Sequence, residues 1–78
     1  MKDLIEFIAR SLVDDPMEVR VEQKERGPKV YFNLCVAKED MGRVIGKGGR
    51  VANAMRKLLR VAAAREGKQA SLDIVDPQ

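Results

Sequence analysis

Val44-Ile45-Gly46-Lys47-Gly48-Gly49-Arg50-Val51 sets three glycines and two cations between an apolar pair and the start of a long basic segment. Backbone without Cβ atoms at Gly46, Gly48 and Gly49 can lie close to another backbone. A helix beginning near residue 50 would turn its unpaired N–H groups toward an anion. A phosphodiester chain suits such a surface. The G-x-x-x-x-G-K-[ST] pattern of a Walker-type loop is not met, because Val51 and Ala52 stand where its magnesium-binding hydroxyl would be. A dinucleotide fingerprint is also incomplete, with Arg50 and Val51 in the place of its last glycine.

Working outward from the loop, Glu39 and Asp40 favour a helix N-terminus through the macrodipole, and a short helix is expected from there to about Ile45. After the loop, the spacing predicts a longer helix with Val51, Ala54, Met55, Leu58, Val61 and Ala62 on one face. Arg50, Arg56, Lys57 and Arg60 fall on its other sides, and Arg65 and Gly67 mark its end. Toward the N-terminus, residues 30 to 37 form an apolar strand suited to packing on both sides or to a central place in a sheet. Val19, Val21 and Gln23 alternate with charged residues as in a strand with one wet face, and Arg26-Gly27-Pro28-Lys29 is the turn between the two strands. The first element is a helix with Leu4, Ile5, Ile8, Leu12 and Val13 along one side. Asp3 and Glu6 make a capping box at its start, and Asp14-Asp15-Pro16 stops it. Residues 70 to 75 form the last strand, Leu72 and Ile74 alternating with Ser71 and Asp73. The order is αββααβ, an α+β fold.

The chain has 78 residues, enough for one small domain over 1–78, and its 45% apolar content with three aromatics implies an aliphatic core. No apolar run reaches a membrane span and no signal-peptide block is present, so a soluble, cytoplasmic protein without membrane contact is expected. One cysteine, Cys35, and no histidine leave neither an internal disulfide nor a Cys/His metal site, and Cys35 reads as a small buried thiol. The net charge of +3 is unevenly spread. Residues 1–37 carry six Lys/Arg against seven Asp/Glu, residues 38–68 nine against three, and residues 69–78 none against two. The basic excess therefore surrounds the glycine loop and makes a phosphate track.

The run from Asp40 to Arg56, with Ile-Gly-Lys-Gly-Gly-Arg-Val at its centre, resembles the GxxG core of KH domains, whose loop clamps the backbone of about four nucleotides. With its length and its closing Leu-Asp-Ile-Val strand, the chain is similar to small bacterial single-KH-domain proteins of the KhpA (YlqC-like) family. The resemblance covers nearly the whole chain. It implies a type II, prokaryotic KH domain: a three-stranded sheet with helices packed on one face and the GxxG loop, 46–49, joining two helices. The type I order, βααββα, would need a strand where the N-terminal segment is helical and a further helix after Val75, for which there is no room.

The same resemblance implies a single-stranded RNA-binding protein, an RNA chaperone or post-transcriptional regulator. It would form a homodimer or pair with a second KH-containing RNA-binding protein, with a bearing on cell division or shape. In that picture Lys47 and Arg50 neutralise phosphates. Gly46 and Gly49 permit the turn, Gly48 prevents a steric block, Ile45, Val51 and Met55 give an apolar floor, and Arg43 and Lys38 extend the basic rim. Ile45, Val51 and Met55 also have core-like spacing, Gly42 reads equally as groove or as a close helix contact, and Tyr31 and Phe32 read as core before stacking partners. With no histidine, no nucleophile-base pair and no carboxylate cluster, no enzyme, cofactor or small-molecule substrate is expected. Two alternatives stay open: a dimerisation or docking module for a larger RNA-binding partner, and a single-stranded DNA binder.

Overall fold

The computed structural model describes residues 1–75; residues 76–78 of the expected domain lie outside the described residues. Alternating apolar residues and a Gly-Pro turn produce a hairpin of β1 (Arg20–Arg26) and β2 (Lys29–Cys35), paired antiparallel from Arg20 opposite Cys35 to Arg26 opposite Lys29. β3 (Gln69–Val75) runs parallel to β2 on its other side, Lys29 opposite Gln69 and Cys35 opposite Val75, so β2 is central. Parallel neighbours need a long crossover. That crossover is α2 (Met41–Ile45), a tight turn at Lys47–Gly49 and α3 (Arg50–Arg65). With α1 (Lys2–Leu12) ahead of β1, the observed order is the expected αββααβ in an α+β fold.

Val30, Phe32 and Leu34 point to one side of β2 and, with Val36 just beyond it, meet Ile5 and Ala9 of α1, Val44 of α2, and Met55 and Leu59 of α3. Burying each large member of this set stabilises the fold by roughly 1.5–3 kcal/mol. α1 packs over β1, α3 over β3, and α2 lies between the two long helices. The helices thus share one face of the sheet, and the crossover holds the glycine turn at its rim.

Several local expectations are corrected. β2 is buried on one face only, because Tyr31, Asn33 and Cys35 turn outward, away from the helices, and Cys35 is half-buried. α1 begins at Lys2 with Met1 in the cap position and no side-chain cap, so Asp3 lies inside the first turn and the Asp3–Glu6 capping box does not form. The helix ends ahead of Asp14-Asp15-Pro16 as expected, and an unforeseen single turn, Pro16–Glu18, follows. In β1 only Val21 is buried; Gln23 is exposed because the helical layer covers only the start of that strand.

The largest correction concerns α3. Its buried face is Ala52, Met55, Leu59 and Ala63, while Leu58 and Val61 are 49% and 57% exposed. The apolar residues of α3 span more than one helical face, and packing selected the stripe whose alanines let the helix approach β3 closely. Leu58, Val61 and Ala54 remain as an apolar strip on the outside.

Candidate nucleic-acid interface

α2 ends because Gly46 adopts φ 77° and ψ 168°, a combination essentially confined to glycine. Its N–H still donates to the Gly42 carbonyl at 2.9 Å, which closes the last turn of α2. A Cβ placed on Gly46 would stand 2.6 Å from Val51 Cγ2 and 2.9 Å from the Val51 nitrogen. Val51, half-buried against the core, therefore seats the loop from below. The chain reverses through Lys47–Gly49, where the Gly49 N–H donates to the Gly46 carbonyl at 3.1 Å. Gly48, at φ 65°, has nothing within 4 Å of the place its Cβ would take, so this side of the turn faces open space. Among the described residues the N–H groups of Lys47 and Gly48 have no backbone acceptor.

Lys47 and Arg50 flank the turn, both exposed and both without an acidic partner among the described residues. Two cations, two free N–H groups and the first turn of a sixteen-residue helix converge there. The combination attracts a polyanion and lets its backbone approach closely.

The other expected site residues divide. Ile45 is 36% exposed beside the loop. Met55 is in the core at 2% exposure; it supports the loop and is covered, so it does not form the floor of a groove. Phe32 is core, and Tyr31 sits on the outer face of the sheet. Gly42 is exposed with nothing within 4 Å of a built Cβ, which removes the close-packing reading. Arg43 is engaged within the protein: its Nη2 meets Asp14 Oδ2 at 2.9 Å and its Nε meets Asp40 Oδ1 at 3.2 Å. Lys38 is exposed in the short turn ahead of α2.

Asp40 was not foreseen as more than a helix-terminal charge. It is 2% exposed, and its two oxygens accept the Asp14 and Asp15 N–H groups at 3.1 Å each. With Arg43 it ties the segment after α1 to the start of α2, so the helix that launches the loop is fixed to the rest of the fold. An aspartate beside a helix start carries no sequence sign of a partner 26 residues away. Also unforeseen is Arg56, whose Nε donates to the Leu72 carbonyl of edge strand β3 and whose Nη1 donates to Asn53 Oδ1, each at 3.0 Å.

Comparison with known proteins places these features in a family. Residues 2–74 match the family described as KhpA/KhpB, KH domain. Among curated relatives, the RNA-binding protein KhpA of Clostridium acetobutylicum is 47% identical over 75 residues, 96% of this chain and all of the relative. The protein of the same name from Halalkalibacterium halodurans is 45% identical over 76 residues, 97% of this chain and all of the relative. That of Chlamydia pneumoniae is 40% identical over 76 residues, 97% of each chain.

Proposed function

The chain belongs to the KhpA/KhpB KH-domain family, and on that premise we propose that it is a non-catalytic, single-stranded RNA-binding protein whose one KH domain clamps the RNA backbone with Gly46-Lys47-Gly48-Gly49. The observation that carries this reading is the turn itself: a glycine backbone open to solvent at Gly48, between two cations that no carboxylate among the described residues neutralises. Phosphates ride on the loop, Lys47 and Arg50 supply charge, and the bases turn toward Ile45, Val51 and the edge strand. Arg43 lies on the rim, where its ties to Asp14 and Asp40 leave it less to give. The relatives are named as RNA-binding proteins, and the basic excess around the loop supports the same ligand class here.

The test is Lys47→Asp combined with Gly48→Asp, read by fluorescence polarisation with a labelled single-stranded RNA. Repulsion replaces attraction on the open side of the turn. Binding is expected to vanish while circular dichroism stays that of the wild type. The wild-type affinity should fall with salt at a log–log slope near −2 to −3, from about three or four phosphate contacts at roughly −0.7 each. Unchanged affinity in the double variant would take the loop out of the site. Competition with DNA of the same sequence separates an RNA binder from a single-stranded DNA binder.

A docking role is favoured by a separate observation, the exposed Leu58 and Val61 on α3. One KH groove holds only about four nucleotides, and joining two sites raises avidity by about 10² to 10⁴. We therefore propose that the chain works as a homodimer or beside a second KH-containing protein, as an RNA chaperone or post-transcriptional regulator in the cytoplasm. No helix among the described residues is long and apolar enough to cross a membrane. Light scattering at micromolar concentration, with RNAs of increasing length, tests the assembly. A monomer that binds a tetranucleotide as tightly as a long RNA would overturn it.

A further inference from the structure

Asn53 and Arg56 stand about one turn apart on α3, on the flank between the glycine loop and the edge strand. Arg56 reaches across to β3, its Nε on the Leu72 carbonyl and its Nη1 on Asn53 Oδ1, both at 3.0 Å. A guanidinium carries five donors and no acceptor. The asparagine can therefore meet it only through oxygen, which fixes the amide orientation and turns its NH2 group to the opposite side. That opposite side is the loop. Asn53 Nδ2 lies 3.6 Å from the position a Cβ on Gly49 would take. Its two protons meet no acceptor among the described residues.

The position is costly for a helix. Asparagine is a poor helix former, and here its side chain neither caps α3 nor bonds to the backbone of its own helix. Its one bond goes to an arginine already held by Leu72. What the arrangement does accomplish is to present two amide protons, in a fixed direction, beside the glycine on which a backbone would rest.

We propose that Asn53 is a further RNA-contacting residue, its amide NH2 donating to a phosphate oxygen of the nucleotide that lies on Gly49, and that Arg56 is the positioning residue that keeps the amide turned that way. This rests on the reading of 46–49 as a backbone clamp and extends it by one neutral contact. Because the contact is uncharged, it adds affinity without releasing a further counterion. Its loss is therefore separable from the loss of Lys47 or Arg50.

The experiment compares wild type, Asn53→Ala and Asn53→Asp by fluorescence polarisation, using a labelled twelve-nucleotide single-stranded RNA of mixed sequence over a range of salt. A hydrogen bond to a charged group is worth about tenfold or more in affinity. Asn53→Ala is expected to lose roughly tenfold with the salt slope unchanged. Asn53→Asp keeps an oxygen for Arg56, so its melting temperature should not fall, yet it is expected to bind more weakly than Asn53→Ala even at the highest salt, where distant repulsion is screened. Wild-type affinity in both variants would overturn the assignment, and a lowered melting temperature of Asn53→Ala beside it would leave Asn53 as a support for Arg56 alone. A slope shallower by about 0.7 in Asn53→Ala would also overturn it, since that is the loss of a charged contact. Wild type that binds no RNA at all would instead overturn the clamp reading itself.

Discussion

Gly46 and Gly48 are two residues apart in one turn and both have positive φ, yet their surroundings are opposite. Gly46 is closed in by the side chain and nitrogen of Val51, whereas Gly48 has nothing near it. The cations divide in the same way. Arg43, on the inner side, is tied to Asp14 and buried Asp40, while Lys47 and Arg50, on the outer side, face no carboxylate among the described residues. The inner half of the site is satisfied by its own fold, which fixes the shape of the turn. The outer half leaves charge and N–H groups uncompensated, and that is where a ligand has something to gain.

The most severe test of this division is at the inner glycine. Gly46→Ala adds backbone strain and drives a methyl into Val51, so it should destabilise the protein by about 2–4 kcal/mol. Gly48→Ala keeps only the left-handed strain, with a cost of about 1 kcal/mol. Urea denaturation of the two variants measures the contrast, and equal losses would erase it.

A smaller separation is expected between the two arginines. Arg43→Ala leaves Asp40 with only its two N–H donors and should cost about 1–2 kcal/mol in stability, the half-exposed arginine reducing the penalty of a fully buried pair. Its salt slope for RNA should match the wild type. Arg50→Ala should do the reverse, leaving the denaturation midpoint in place and making the slope shallower by about 0.7. Parallel titrations of both variants over salt check this; a slope that changes in Arg43→Ala would put Arg43 among the phosphate contacts.

The outer half was the legible half. Glycines and cations mark a turn open to an anion from their own chemistry, and the apolar run of residues 30–37 announces a strand, because both signals are local. The inner half was not legible in the same way. Asp40 acts through Asp14 and Asp15, Arg56 through Leu72, and Met55 through the whole core; such partners are set by how α3 and the strands come together. The face of α3 failed for a related reason. Its apolar residues are numerous enough to define more than one stripe, so periodicity left the choice to packing, and Leu59 rather than Leu58 went inside.

Gly42 sharpens the comparison from the open side at modest cost. It lies within α2 with room for a methyl, so Gly42→Ala should stabilise the protein by about 0.5–1 kcal/mol through the unfolded chain. If the groove runs along α2 above it, the same methyl should weaken RNA binding. Opposite signs in thermal denaturation and polarisation are the expected result, and a stabilised variant with full affinity would place Gly42 outside the interface.

The smallest effect concerns a cation that is already paired, away from the loop. Lys68 donates to Glu25 at 2.9 Å, linking the end of β1 to the residue ahead of β3. The hydrogen bond from Lys68, and then its charge, hold the Glu25 carboxyl below the ordinary carboxylate value, while the same contacts raise the Lys68 ammonium above its ordinary one. A lowered carboxylate pKa contributes stability above the ordinary Glu value and loses it as pH falls through the folded value; a raised lysine pKa contributes below the ordinary Lys value and loses it as pH rises through the folded value. The pair therefore supports the fold across the neutral range and fades at both ends. It should also fade with salt, since Glu25 is exposed and Lys68 is only partly covered. Comparing Lys68→Ala with wild type by thermal denaturation should show a slight loss at neutral pH that disappears below the Glu25 titration and above that of Lys68. RNA affinity and salt slope should stay as in wild type, because a cation whose charge is answered within the protein has no counterion to release to a ligand. A slope that becomes shallower in Lys68→Ala would mean that pairing does not withdraw a cation from the phosphate track, and the distinction between inner and outer charges would fail with it.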